Sequence, residues 1–414
     1  MNMEKPVTAE KANEIPASIK FVLATILINA IGFGIITPVL PELIMELGRA
    51  DLSEATAIGG TLSLLYATTQ FVCGPLAGNL SDRFGRRPVL LGSLFGFSAD
   101  FIILAFAPSL TWLYVGRVLS GVFGASNAPA QSAIVDATAP EDRPRLFGLI
   151  GAAFGIGFVI GPVIGGVLGE FGHRVPFFAA AALAAANCIY GFLVFPETIA
   201  PENRRTFQWR RANPVGALLN IRKLPGILPL AAVYFLWQVA SLIYPMTWNF
   251  FAYGRYGWSS AMVGASLSAV GLSMALVQTF LTGRAVRRFG EHKTAQIGIG
   301  FGALAMTAYI FIPNGWIGFA AIPLLAMQSL AQPALTAMLS RRASADTQGE
   351  MQGFASSVMA LGAIVAPLLF NPLLAWFTGP SAPFVFWGAA FAVAATFAVM
   401  ALIVLSVVRP AERR

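Results

Sequence analysis

A chain of 414 residues that is 57% apolar and only 11% charged carries more apolar surface than a soluble globule can hide, since such globules run to about 25% charged residues. The excess must face lipid. The formal net charge of +8 does not point to nucleic acid, because the basic residues fall on alternate loops rather than on one face. Cys73 and Cys188 lie inside apolar stretches, and His173 and His292 stand alone in loops. Neither a disulfide, a metal nor any other cofactor is expected from them.

Residues 1–18 are polar, carry charges of both signs and lack an apolar core with a cleavage site, so they are expected as a cytoplasmic tail. A spanning helix takes about 20 apolar residues. Twelve such stretches follow: 19–41, 57–77, 88–107, 110–137, 145–169, 175–195, 226–252, 260–282, 294–312, 315–339, 351–377 and 382–407. The expected fold is an all-α membrane protein with two pseudo-symmetric bundles of six helices, 19–195 and 226–407. The long basic linker 196–225 joins them, and 408–414 form a second tail. All but four of the 27 Lys and Arg lie on the side of the tails, the linker and loops 2–3, 4–5, 8–9 and 10–11. Arg49, Arg174 and Arg255 lie opposite, and Arg117 is inside a span. Lys and Arg are retained in the cytoplasm, so both termini are expected there.

Span one contains Asn29 and the run Gly32-Phe33-Gly34-Ile35-Ile36-Thr37-Pro38-Val39-Leu40-Pro41. Span two contains Gln70. Loop 2–3 then reads Gly78-Asn79-Leu80-Ser81-Asp82-Arg83-Phe84-Gly85-Arg86-Arg87-Pro88. Gly78 is expected to let helices two and eleven approach, and Gly85 to make a tight turn. Asp82 is expected to meet the N-terminus of helix eleven. Arg83, Arg86 and Arg87 are candidates to pair with Asp136 at the end of span four. Such a cluster would lock one side of the membrane while the other opens, although basic residues there also serve topology alone.

Asp100 lies within span three and Arg117 within span four. Ionisable residues inside a membrane are costly and mark functional sites by default. Asp100 either carries a proton, with Arg117 as its electrostatic partner, or only hydrogen-bonds a neighbour. Span five places Gly157, Gly161, Pro162, Gly165 and Gly166 at helical spacing, a flat face for close packing with a proline bend. In the second half, Gly283-(x)3-Arg287-Arg288-Phe289-Gly290-Glu291 echoes loop 2–3 without its acid, and Ala345-Asp346-Thr347-Gln348-Gly349 echoes Pro140-Glu141-Asp142-Arg143. Gln238, Tyr244, Trp248, Asn249, Gln278, Gln328 and Gln332 offer an aromatic, amide-lined cavity for an amphipathic, largely neutral molecule. Helix–helix hydrogen bonding is an equal reading for each glutamine.

The pattern Gly-x-x-x-Asp-Arg-x-Gly-Arg-Arg at 78–87 resembles the signature loop of the major facilitator superfamily. The glycine run of span five resembles the antiporter signature of its drug exporters. Residues 32–41, Ser81 to Leu91, Phe154 to Gly157 and Arg255 to Trp258 are similar to the tetracycline exporter subfamily, a likeness that extends over nearly the whole chain. The resemblance implies a monomeric secondary transporter of the bacterial inner membrane, exporting a small molecule through the lipid bilayer against protons by alternating access. It implies a lock role for loop 2–3, and no nucleic-acid partner. The subfamily usually has acids where this chain has Asn29 and Gly302, which leaves no Asp or Glu in any second-half span and puts tetracycline itself in doubt. Uptake or facilitated diffusion without proton coupling is the alternative. An enzyme is not expected, because no nucleophile–base pair, phosphate loop or metal cluster occurs and the glycine runs follow no strand. A receptor is not expected without an appended soluble domain.

Overall fold

The computed structural model describes residues 16–138, 142–208, 227–342 and 348–408. The expected tails for the most part, linker residues 209–225, Pro140-Glu141 and Ala345-Asp346-Thr347 lie outside the described residues. Every described element is helical. Twelve segments follow in chain order: α1 (17–48), α2 (Leu52–Phe84), α3 (Arg86–Ala105), α4 (110–136), α5 (Arg143–Gly169), α6 (Val175–Val194), α7 (Ile227–Tyr256), α8 (260–289), α9 (291–311), α10 (Gly315–Ser340), α11 (Gln348–Thr378) and α12 (Ala389–Val407). The helix assignment runs unbroken through residue 290, but Gly290 at φ 77° and ψ 168° turns the chain there and divides α8 from α9.

Among the described residues, 9 stretches are long and apolar enough to cross a membrane, and one of them, Ser260–Phe311, holds both α8 and α9. The two remaining helices explain their own omission. α2 carries Thr68-Thr69-Gln70 and a charged end, and α4 carries Arg117, Asn127 and Gln131. At about 1.5 Å per residue, α2 outreaches a hydrocarbon core of about 30 Å. Its last turn therefore stands in the aqueous interface, where Asp82 and Arg83 are at home. Its start is fixed by a capping box in which Glu54 N–H donates to Asp51 at 2.8 Å and Asp51 N–H donates back to Glu54 at 3.3 Å.

Within the first half α1 packs on α5 and α3 on α6; within the second, α9 and α7 each pack on α12. The halves meet along α2 against α11 and α5 against α8. Their hydrogen bonds cluster toward one end, called here the far face because it is opposite the loop of Gly78 to Arg87. Ser53 donates to the carbonyl of Ala375 at 2.6 Å. Asn371 donates to the carbonyl of Thr56 at 3.2 Å. Asn249 donates to the carbonyl of Thr37 at 3.0 Å, and Ser268 to that of Val159 at 2.5 Å. Among the described residues, no hydrogen bond joins the halves nearer the basic face. Among the described residues, the hydrogen bonds between the halves thus gather toward the far face.

Candidate functional site

Two adjoining cavities, of about 300 and about 120 Å³, open near the middle of the molecule. Both are lined by Phe33, Ile36, Tyr66, Gln70 and Arg117. The larger adds Asn29, Phe97, Phe101, Ser120 and Phe154, all from the first half. The smaller adds Pro245, Met246, Asn249 and Phe250 of α7 and Ala363 of α11, so it lies between the halves. Gln70 donates to the Tyr66 hydroxyl at 2.9 Å and to the carbonyl of Gly124 at 3.2 Å.

Asp100 is wholly buried. Ser120, on the neighbouring α4, donates its hydroxyl to one carboxylate oxygen. The other oxygen has no hydrogen-bond partner and lies against Gly116. A methyl at Gly116 would sit 2.8 Å from that oxygen, so the glycine makes room for the acid. Since Ser120 also lines the larger cavity, its hydroxyl stands between Asp100 and the cavity. The charge of Arg117 acts on Asp100 and on Tyr66. The direct Asp100–Arg117 contact left open by the sequence does not form. No ion pair or hydrogen bond reaches Arg117 among the described residues, and it lines both cavities.

At the basic face the lock residues come together around Arg86, which is 6% exposed. It donates to Asp82 at 2.5 Å, to the Ser81 hydroxyl at 2.7 Å and to Asp136 at 2.9 Å. Gly85 turns at φ 109°, a conformation that favours glycine. A Cβ there would also collide with the Glu197 carboxylate. Two expectations are corrected. Of the three arginines only Arg86 reaches Asp136: Arg83 lies over the Phe84 ring at 5.0 Å, and Arg87 donates to the carbonyl of Phe192 at 2.8 Å. Gly78 approaches α4, with Ala128 3.8 Å from its would-be Cβ, rather than α11. Asp82 is held by Arg86, and the turn leading into α11, its expected partner, lies outside the described residues.

Glu197 was not singled out from the sequence. Its carboxylate accepts from the backbone N–H groups of Arg86 at 2.8 Å, Arg87 at 3.3 Å, Thr198 at 3.0 Å and Ile199 at 3.2 Å. It thereby caps α3 at its positive end. The only signal was its place just past α6. Tyr66, one helical turn before Gln70, was likewise missed, as were the aromatic walls of the larger cavity.

The glycine stripe of α5 packs as its spacing suggests. A Cβ on Gly157 would meet the carbonyl oxygen of Leu27 at 2.6 Å, and one on Gly161 that of Ile31 at 2.6 Å. One on Gly165 would collide with the carbonyl of Ile35. The stripe thus rests on the backbone of α1. Gly166 faces the other half, where its Cβ would meet the carbonyl of Ser260 at 2.5 Å, and the Pro162 carbonyl presses on Gly264 of α8. Beside this contact, Ser260 donates to Glu42 at 2.6 Å and Ala261 N–H donates to Glu170 at 3.1 Å. Two first-half carboxylates therefore clasp the N-terminus of a second-half helix at the far face. His173 lies 3.1 Å from Glu42, and Arg174 pairs with Glu46 at 3.3 Å.

Of the nine polar candidates for the cavity, Asn29, Gln70 and Asn249 line it. The other six stand outside these two cavities. Tyr244 and Trp248 belong to a buried aromatic cluster with Phe251, Tyr309 and Phe391, and Trp248 donates to Ser266 at 2.9 Å. Gln332 donates to Tyr234 at 2.7 Å. Gln238 and Gln328 are buried, and Gln278 is exposed. Helix packing takes all of these groups but Gln278. At Gly302 a Cβ would meet Trp237 at 2.5 Å, so the indole fills the space that an acid would need.

A family model described as Major Facilitator Superfamily matches residues 22–367 and 256–414. The chain is 38% identical over 354 residues to the tetracycline resistance protein of class C from Escherichia coli, covering 86% of this chain and 89% of that protein. It is 38% identical over 346 residues to the class G protein from Vibrio anguillarum, covering 84% and 87%. Among solved structures, the human organic anion transporter MFSD10 superposes with a TM-score of 0.70 at 22% identity, over 94% of this chain and 99% of that one.

Proposed function

The chain belongs to the major facilitator superfamily, and from that premise we propose that it exports a hydrophobic or amphipathic small molecule in exchange for protons by alternating access. The observation that carries this reading is the linkage of Asp100 to the cavity. A buried carboxylate with one oxygen unpartnered, and the other bonded to a cavity-lining hydroxyl, is suited to take and release a proton in step with cavity occupancy. Arg117 stabilises its charged form. Tyr66, Gln70, Asn29, Asn249 and the phenylalanine walls hold the solute, in keeping with the aromatic and sparsely polar character of small-molecule sites. Likeness to tetracycline resistance proteins supports efflux as the direction.

In this reading the basic face is cytoplasmic, because Lys and Arg are kept on that side, and the bilayer is a bacterial inner membrane. The conformation is then inward-open. The Asp82–Arg86–Asp136 cluster is the resting form of a lock that engages α11 when the cytoplasmic side closes, and Gly166 with Glu42 and Glu170 seals the outer side. The test loads proteoliposomes with the aromatic amphipath that most raises the thermal unfolding midpoint in a ligand screen. Efflux that collapses when a protonophore dissipates the pH gradient supports exchange. Efflux indifferent to the gradient supports a facilitator. That second reading draws on one observation: no Asp or Glu lines either cavity.

A further inference from the structure

The cavities carry one fixed charge. Arg117 lines both, and nothing among the described residues pairs with it. The acid nearest to it in effect, Asp100, is wholly buried and turned toward Ser120 and Gly116 rather than into the cavities. The remaining polar lining is uncharged: Asn29, Tyr66, Gln70, Ser120 and Asn249 among them. A cation entering would sit beside a guanidinium that has no directly bonded counter-ion, in a partly dehydrated space. Two like charges about 6 Å apart at an effective dielectric of about 20 repel strongly enough to lower affinity about a hundredfold. At the same time, a guanidinium with several unused N–H groups is a strong donor for a carbonyl oxygen.

We propose that Arg117 sets the charge selectivity of this transporter: the cavity takes an uncharged aromatic amphipath that presents a carbonyl acceptor to Arg117, and it rejects organic cations. The proposal rests on the exporter reading for the choice between neutral and anionic ligands. An anion at Arg117 would compete with the charge of Asp100 for the same guanidinium and so bind together with a proton, the sign of co-transport. A neutral acceptor carries no charge that would draw a proton onto Asp100, so it avoids this sign of co-transport. Gln70 and Asn29 are placed to complete the polar end, while Phe33, Phe97, Phe101 and Phe154 receive the ring.

The test is equilibrium binding to the full chain in nanodiscs, with 2-naphthyl methyl ketone and the trimethyl(2-naphthyl)ammonium ion as probes sharing one ring. The wild type is expected to bind the ketone more than tenfold more tightly than the ammonium. Arg117→Gln is expected to raise ammonium affinity more than tenfold while weakening the ketone only a few-fold. Arg117→Lys should keep the exclusion. A gain of binding in Arg117→Gln cannot come from misfolding. Equal or tighter ammonium binding by the wild type, an unchanged ratio in Arg117→Gln, or no ketone binding at millimolar concentration would each overturn the proposal. So would tighter binding of 2-naphthoate accompanied by proton uptake. None of these readouts uses a gradient, so failure of the exporter reading is told apart by the proteoliposome assay.

Discussion

Glu291 accepts from Arg341 at 2.8 Å, at the place in the second half where Arg86 donates to Asp136 at 2.9 Å in the first. In both halves the pair joins the residue after a left-handed glycine, Gly85 or Gly290, to the end of the helix that follows the next. The charges are exchanged between the copies. A repeat preserved in geometry but reversed in sign gives the two halves complementary ends at the basic face.

Loss of the cluster centre should be costly. Arg86→Ala would leave Asp82 and Asp136 beside each other without their cation. Fully buried pairs lose about 3–5 kcal/mol when broken, and because these carboxylates are 33% and 24% exposed, about 2 kcal/mol is expected. Arg83→Ala, which removes only an exposed ring contact, should change stability by less than about 0.5 kcal/mol. Thermal unfolding in detergent compares the two. Equal effects would show that all three arginines share the acids.

The cap on α3 predicts a separate effect. Glu197→Ala removes a charged acceptor from four backbone N–H groups and should destabilise by about 1–2 kcal/mol. Glu197→Gln should recover part of this, since an amide oxygen still accepts. Hydrogen exchange at Arg86 and Arg87 reports the cap directly: protection should fall in Glu197→Ala and survive in part in Glu197→Gln.

At the far face, two glycines one residue apart have different partners. Gly165→Ala presses on the Ile35 carbonyl inside the first half, whereas Gly166→Ala presses on the Ser260 carbonyl across the halves. Both are overpacked and should cost about 1–3 kcal/mol. Only Gly166→Ala should shift the molecule toward opening at the far face, because only that strain is relieved when the halves part there. Spin-label distances between α1 and α8 near the far face would separate them; a shift in both variants, or in neither, contradicts the assignment.

Glu42 and Glu170 should act in the same direction. Each places a carboxylate at the N-terminus of α8, worth about 0.3–1 kcal/mol apiece. The double variant Glu42→Gln/Glu170→Gln should move the same spin-label distance toward the open form by a several-fold change in population. An unchanged distance would show that glycine packing alone closes this face.

The helices, the repeat and the glycine contacts were readable from the sequence because lipid and spacing dictate them. Twenty apolar residues have few alternatives, and a glycine every fourth residue makes a face whatever packs on it. Partner choice was not readable. Three arginines in five residues look alike on paper, and only the turn at Gly85 aims Arg86, and not Arg83 or Arg87, at Asp136. The cavity shows the same limit. Gln238, Gln328 and Gln332 fall at plausible depths, but helix packing buries or bonds them, while Tyr66 and the phenylalanine walls looked like ordinary apolar filling.

The central claim is that Asp100 couples solute movement to protons, and one comparison tests it most directly. Proteoliposomes containing wild type or Asp100→Asn are assayed for solute exchange at equilibrium and for net efflux driven by an imposed pH gradient. The wild type should do both. Asp100→Asn should keep exchange within a few-fold of wild type and lose acceleration by the gradient. An Asp100→Asn protein whose efflux still follows the gradient as the wild type does would contradict the account.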